Sequence, residues 1–308
     1  MNVDLSAAAD FMATHARVLD RRRFQLRHGE PEPSAVLAAL DGYRNLDGGY
    51  GWGLEPDLRS PESQPGASHH AFEVFEDLAP ATAPQAVALC DWLETITLPD
   101  GGLSFAMPLG MAAGSGPWWA AADLSVSSLQ ITAVTAAAAH RVAAHDPAVA
   151  AHPWLARATE YCLTAIDSLD QAPFAYILAF AIRFLDALHD SQPARAAAAL
   201  ARLRAFVPAD GTVSVTGGTE DEALHPLDIA PFPWRPARAL FSDEVIAADL
   251  ERLAALQQED GGWVVDYLMI SPAGSLDWRG HATVRALDIL QRNDATPDDD
   301  HTPYAVAP

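Results

Sequence analysis

The 308-residue sequence contains no lysine, so all 19 of its basic residues are arginines. This absence excludes a Schiff-base lysine and the lysine of a phosphate-binding P-loop. Against the arginines stand 41 acidic residues, which give a formal net charge of -22. A surface so negative repels phosphate backbones, anionic headgroups and strongly anionic substrates. We therefore expect no nucleic-acid partner.

Cysteine is also scarce, since the sequence has only Cys90 and Cys162, both within apolar segments of helical periodicity. Buried free thiols are the expectation. The sequence lacks an uncharged apolar run of about 18 residues, the length that a membrane-spanning helix needs. Its first residues lack the basic and apolar regions of a signal peptide. We expect a cytoplasmic protein without a transmembrane segment.

The composition is hydrophobic, with half of the residues apolar, and alanine is abundant. Alanine favours helices and is depleted in strands, so the sequence predicts an all-α fold. Apolar residues recur at helical spacing in ten segments. These segments are 4–29, 35–43, 68–80, 84–93, 126–144, 154–169, 173–189, 193–206, 244–258 and 281–291.

An Asp-Gly turn recurs along the chain, starting at Asp47, Asp100, Asp210 and Asp260. The intervals are 53, 110 and 50 residues, which indicates a period of about 52 with a degenerate copy near residue 155. Each period reads as a turn, a loop and two helices, so we expect five to six helical hairpins. Segment 126–144 is nearly uncharged on every face and needs cover on all sides. A closed ring with an outer helical layer provides that cover better than an open solenoid.

Residues 45–52 and 256–263 are the clearest copies of a helix end followed by Asp-Gly-Gly-aromatic. With its period of about 50 residues, this pattern resembles the prenyltransferase–squalene oxidase repeat of the terpenoid cyclase and protein prenyltransferase superfamily. The resemblance covers roughly residues 35–291 and implies an α/α toroid, or α/α barrel, whose inner helices start at the rim of a central cavity. We expect a single domain over residues 1–292 and a flexible polar tail over 293–308.

The sequence departs from the chemical motifs of that superfamily. The Asp-x-Asp-Asp acid motif of class II cyclases is missing from the repeats, since the acidic run 298–300 lies in the tail. The Asp-Asp-x-x-Asp magnesium motif is missing too, and neither cysteine lies beside the Asp and His of a prenyltransferase zinc site. His69, His70 and His281 show no i,i+4 histidine pair. We therefore expect neither a metal nor another cofactor.

The strongest catalytic candidates are Glu55 and Asp57, which follow the first turn and have no counterpart in the later copies. Pro56 favours extended backbone at Glu55, and in an extended segment Glu55, Asp57 and Arg59 point the same way. Two carboxylates held close together raise one another's pKa, which suits a general acid. The alternative is that Arg59 neutralises Asp57 in a structural clasp.

Acids and aromatic residues recur at the corresponding places of the later repeats. The acids could instead cap helices and the aromatics could be core residues, but together they predict a lined cavity, because aromatic faces stabilise developing positive charge or stack on sugars. The further catalytic candidates are Asp123, Asp228 and Asp266. The candidates for substrate binding, besides Arg59, are His69, His70, Trp118, Trp119, Tyr176, Trp234, Trp278, Arg279 and His281.

Three functions fit these observations. The leading hypothesis is a terpenoid cyclase-like enzyme that uses rim carboxylates as general acid and base on an uncharged hydrophobic substrate, isoprenoid or polycyclic. The alternatives are a carbohydrate-active hydrolase or lyase, in which two carboxylates flank a glycosidic bond, and a non-catalytic scaffold that binds a peptide or lipid.

Overall fold

The computed structural model describes residues 3–294, and residues 1–2 and 295–308 lie outside the description. The described chain is mostly helical, as predicted, with fourteen α-helices and one short antiparallel hairpin. None of these helices is both long and apolar enough to cross a membrane. The acidic run 298–300 and most of the predicted tail fall outside the described residues, while Asn293 and Asp294 belong to the last helix.

The helices of the first half are α1 (Leu5–Thr14), α2 (Val18–His28), α3 (Pro33–Asp41), α4 (Pro65–Asp77), α5 (Pro84–Ile96), α6 (Pro117–Ala120) and α7 (Leu129–Ala143). Those of the second half are α8 (Pro147–Ala150), α9 (Pro153–Asp167), α10 (Ala175–Leu188), α11 (Pro193–Leu203), α12 (Pro226–Ile229), α13 (Asp243–Ala255) and α14 (Pro272–Asp294). Strands β1 (Val213–Ser214) and β2 (Ala223–Leu224) pair with Val213 opposite Leu224.

Several helix boundaries differ from the predicted ones because serine caps decide them. α7 begins at Leu129, not Val126, because the Ser128 hydroxyl accepts the Ile131 N–H. α14 begins nine residues before the predicted His281, because the Ser271 hydroxyl accepts the Gly274 N–H. The predicted single helical segment 4–29 is two helices, separated at residues 15–17.

The four Asp-Gly turns share one local geometry. In each turn a backbone N–H two residues after the aspartate donates to its Oδ1, and the glycine after the aspartate has a positive φ that suits glycine. The donors are Gly49 at 2.9 Å, Gly102 and Thr212 at 3.1 Å, and Gly262 at 3.2 Å. The predicted repeat of turns is therefore present in the backbone.

The Gly-Gly pairs of three turns are required by close packing against a helix. A Cβ on the first glycine would lie 2.1–2.8 Å from a helix carbonyl oxygen, and one on the second would lie 2.6–2.8 Å from an aromatic ring four residues further along the same helix. The pairs of helix residues are Ala88 and Trp92 on α5, Arg157 and Tyr161 on α9, and Ala7 and Phe11 on α1. A degenerate copy of the turn was expected near residue 155, but α9 begins there, at Pro153.

The chain divides into two compact units, one formed by Leu40–Phe206 and the other by the described parts of Met1–Ala39 and Val207–Pro308. The single domain predicted over residues 1–292 stays a prediction. In the Leu40–Phe206 unit, α7 packs between α4 and α10, while α5 packs on α9 and α9 on α11. This unit thus has two rows of helices: α4, α7 and α10 in one row, and α5, α9 and α11 in the other.

The second unit, which contains both chain ends, is built around α14. α14 packs against α1, α2 and α13, and α12 packs against α13. Phe11, Trp263 and Leu287 belong to its apolar core. Trp263 also donates its backbone N–H to Thr283 on α14, which fixes the third Gly-Gly turn to this helix.

The cysteines have the predicted environment. Cys90 on α5 and Cys162 on α9 are free thiols and fully buried. Burial, with a smaller effect of the Asp91 charge, raises the pKa of Cys90 to about 12. Neither thiol is therefore suited to nucleophilic chemistry.

His140 on α7 predicts a pH dependence of stability. Burial, reinforced by the Arg141 charge, lowers the pKa of His140 to about 4, and its Nε2 lies 2.9 Å from Thr159 Oγ1. Between pH 6.5 and 4, His140 is protonated in the unfolded chain but neutral in the folded chain. The free energy of unfolding therefore decreases as the pH falls through this window. From pH 7 to 4.5, the free energy of unfolding of the wild type should fall by about 2–3 kcal/mol more than that of His140→Gln. Urea unfolding at both pH values measures this difference. An unchanged pH dependence in His140→Gln, with His189→Gln as control, would contradict this assignment.

Candidate functional site

The candidate site lies in the Leu40–Phe206 unit, where a folded loop leads from the first Asp-Gly turn into α4. The loop closes on itself through backbone hydrogen bonds, with Trp52 N–H donating to Ser60 O at 2.8 Å and Gln64 N–H to Tyr50 O at 2.8 Å. The Leu58 N–H donates to the Glu55 carbonyl at 2.9 Å, which makes a tight turn of residues 55–58. The extended segment expected for residues 55–59 was therefore wrong.

Both carboxylates singled out by the sequence are buried in this turn. Glu55 is 5% exposed and Asp57 is 7% exposed, and they lie between the fully buried Leu54 and Leu58. The Asp57 N–H points to Glu55 Oε1 at 3.4 Å, and the Asp57 carbonyl accepts the Gly116 N–H at 2.8 Å. The two acids thus occupy a buried, hydrogen-bonded part of the loop.

His70 on α4 connects Glu55 to a third carboxylate, Glu73. Its Nε2 lies 3.3 Å from Glu55 Oε2, and its Nδ1 lies 3.0 Å from Glu73 Oε2. Burial alone would lower the pKa of His70, but the hydrogen bonds and charges of Glu55 and Glu73 outweigh it and raise the pKa to about 9. Glu73 was not predicted, although it lies three residues after His70 and so on the same helix face.

His69 completes the group. Its ring centroid lies 3.8 Å from that of His70, and its Nδ1 is buried. Burial, with the adjacent His70 charge, lowers the pKa of His69 to about 4. Glu55, His69 and His70 each offer a possible metal-ligand atom, and these atoms all lie within 4.8 Å of one another. We call Glu55, Asp57, His69, His70 and Glu73 the α4 cluster.

Arg59 holds the following loop in place. Its backbone N–H donates to Ser115 Oγ at 2.8 Å. Its side chain lies against two glycines, because a Cβ at Gly53 or Gly114 would be 3.3 Å from Arg59 atoms. The guanidinium is thus packed between two loop segments of the same unit.

The two adjacent tryptophans have different environments. Trp119 is buried, stacks on Phe105 with centroids 4.7 Å apart, and touches the first turn of α4, where a Cβ on Gly66 would be 2.9 Å from its ring. Trp118 is exposed. Trp119 therefore provides apolar surface next to the start of α4, and the predicted role of Trp118 and Trp119 in substrate binding stays a prediction.

The two other candidates in this unit have local partners. Asp123 is exposed and accepts the N–H and O–H of Ser125, and these hydrogen bonds hold its pKa below the usual value. This is the capping type of contact that was the alternative to a catalytic role. Tyr176 on α10 packs beside Phe174 and Phe180, with ring centroids 5.7 and 5.8 Å away.

In the second unit, the two remaining acids lie near the hairpin. Asp228 accepts the His225 N–H at 3.0 Å as part of a capping box of α12, and lies 3.7 Å from Arg285. Asp266 is at the surface, and its pKa is raised by partial desolvation and by repulsion from Asp228 and Glu222.

The remaining candidates also belong to the second unit. Arg279 clamps the third Gly-Gly turn, since both of its Nη atoms donate to the Asp260 carboxylate at 2.7–2.8 Å. Trp278 packs edge-on to Tyr267 and His281, and His281 Nδ1 lies 3.5 Å from Arg23 Nη1. Trp234 is exposed, with a positive φ of 63°.

No protein-family model matches the sequence, and no curated protein matches it at significant similarity.

Proposed function

We propose that the chain is an enzyme, similar to terpenoid cyclases, that uses the α4 cluster to transfer protons to and from an uncharged hydrophobic substrate of isoprenoid or polycyclic type. The observation that carries the proposal is the burial of Glu55 and Asp57 within one four-residue turn, with Glu55 against His70. Glu55 and Asp57 are the general acid and base.

The energetics of burial support a functional role. Removing a carboxylate from water costs several kcal/mol, and an apolar residue of similar size at a buried position is often as stable or more so. A loop that served only as a clasp would therefore gain nothing from two buried acids. Buried carboxylates with a specific charged partner are typical of catalytic sites.

The helix arrangement supports the α/α toroid as the architecture around this site. The two rows of the Leu40–Phe206 unit correspond to the inner and outer helices of three hairpins, namely α4 with α5, α7 with α9 and α10 with α11. In this architecture α4 is an inner helix, and its N-terminal end, with the turn that contains Glu55 and Asp57, lies at the cavity rim.

The surroundings of the cluster suit an uncharged ligand. Trp119 and Phe105 present aromatic surface beside the first turn of α4, and Trp118 is exposed next to them. Aromatic faces attract developing positive charge, as forms when an alkene is protonated. Carboxylates and aromatic rings around the N-terminal part of α4 would both favour a cationic intermediate.

A substrate screen tests the proposal. Purified protein is incubated with neutral polyprenyl alkenes and epoxides and, separately, with a panel of oligosaccharides, and products are detected by mass spectrometry. We expect products from the polyprenyl panel only. Turnover of oligosaccharides alone would replace the proposal with the carbohydrate-active alternative, and no turnover on either panel by folded protein would favour the binding scaffold.

A further inference from the structure

The distance between Glu55 and His70 is long for a hydrogen bond between a protonated histidine and a carboxylate. His70 Nε2 and Glu55 Oε2 lie 3.3 Å apart, whereas a hydrogen bond between a cation and a carboxylate is about 2.7–2.9 Å long. Two ligand atoms bound at about 2.0–2.2 Å to a tetrahedral zinc ion stand about 3.3–3.5 Å apart. The spacing therefore matches two neighbouring ligands of one metal ion.

A third ligand is available in His69. One of its ring nitrogens lies within 4.8 Å of the Glu55 and His70 ligand atoms. His69 is adjacent to His70 on α4, and the two ring centroids are 3.8 Å apart. The three side chains can therefore approach one ion together.

Glu73 provides the outer contact that metal-binding histidines normally have. Its Oε2 lies 3.0 Å from His70 Nδ1, on the opposite side of the ring from Glu55. A carboxylate in this position keeps the proton on Nδ1, orients the ring, and leaves Nε2 as the ligand nitrogen.

The ligand set selects the kind of ion. Two imidazoles and one carboxylate suit zinc and similar transition metals, while magnesium and calcium prefer oxygen ligands throughout. Three protein ligands leave the fourth tetrahedral position open, which is typical of catalytic rather than structural zinc. These ligands also differ from the Asp, Cys and His ligands of a prenyltransferase zinc site, which the sequence lacks.

We propose that Glu55, His69 and His70 bind one zinc ion, with Glu73 orienting His70. The inference does not rest on the proposed reaction, because it concerns binding alone. A carboxylate that binds zinc is held deprotonated, so Glu55 would serve the proposed reaction only in metal-free protein.

Metal titration of the full chain, prepared without a histidine tag and stripped with a chelator, tests the site. We expect one zinc ion per chain by calorimetry and elemental analysis, and cobalt bound in the same place with the visible absorption of a tetrahedral complex. His69→Gln and Glu55→Gln should each weaken binding by about 100-fold or more, and Glu73→Gln by about 10–100-fold. His189→Gln, outside the α4 cluster, should bind like the wild type.

Two results would overturn the metal site: no stoichiometric binding, or equal binding by the wild type, His69→Gln and Glu55→Gln. Circular dichroism of each variant separates lost binding from lost folding, and the cobalt spectrum reports the ligand set directly. Turnover by metal-free protein that binds no zinc would reject this inference alone. Zinc binding without turnover on any panel would reject the proposed function alone.

Discussion

Replacing Glu55 with glutamine is expected to lower kcat/KM at least about 100-fold on the substrate that the screen identifies. Glutamine keeps the size of the side chain and an oxygen that can accept the Asp57 N–H, but it cannot exchange a proton. General acid–base catalysis by one residue is worth about 100- to 10,000-fold. Asp57→Asn should have an effect of similar size, because Asp57 is buried in the same turn.

Controls separate catalysis from folding in this experiment. Glu160→Gln changes an exposed carboxylate of the same unit that pairs with Arg195 at 2.6 Å, and it should leave kcat/KM within twofold. If Glu55 and Asp57 act in one step, the double variant should lose less than the product of the two single losses. Full activity in both single variants would remove these acids from the mechanism.

Replacing Gly261 with alanine should lower the free energy of unfolding by about 3 kcal/mol. The new Cβ would lie 2.1 Å from the Ala7 carbonyl oxygen, so the turn must move away from α1. The φ of +89° adds a cost of about 1–2 kcal/mol that any residue with a Cβ incurs there.

Gly217→Ala is the matched control, because Gly217 has a similar φ of +83° but no atom within 4 Å of the added Cβ. It should therefore cost only about 1–2 kcal/mol, the backbone part of the effect. The measurement is equilibrium unfolding in urea. Equal losses in the two variants would show that the turn does not pack tightly on α1.

The helical fold was predictable because its signals are local. Apolar periodicity gives the helices, and the Asp-Gly turns are specified by short-range hydrogen bonds such as that from Gly49 N–H to Asp47. The cap of α7 was harder, since Ser125, Ser127 and Ser128 all precede its apolar segment and the sequence alone does not select Ser128. The two-residue strands β1 and β2 are too short to show an alternating pattern.

The site was predictable only in part because its contacts are not local. Glu55, His69 and His70 could be named one by one, but the contact between Glu55 and His70 spans fifteen residues and depends on how the loop folds. The tight turn at residues 55–58 means that residues 55–59 are not one extended segment, so alternate spacing does not place Glu55, Asp57 and Arg59 on one side. The sequence pointed away from a metal because it shows no i,i+4 histidine pair, whereas the Glu55 atom that lies within 4.8 Å of His69 and His70 comes from the loop.

Solvent isotope incorporation tests the central claim, proton transfer to an uncharged substrate at the α4 cluster, most directly. The reaction is run in D2O with the substrate found in the screen, and the product is analysed by mass spectrometry and NMR. Because carboxylate protons exchange with solvent, the account predicts one deuterium at the carbon that is protonated, and no labelled product from Glu55→Gln. A wild-type product formed in D2O without deuterium would contradict the account.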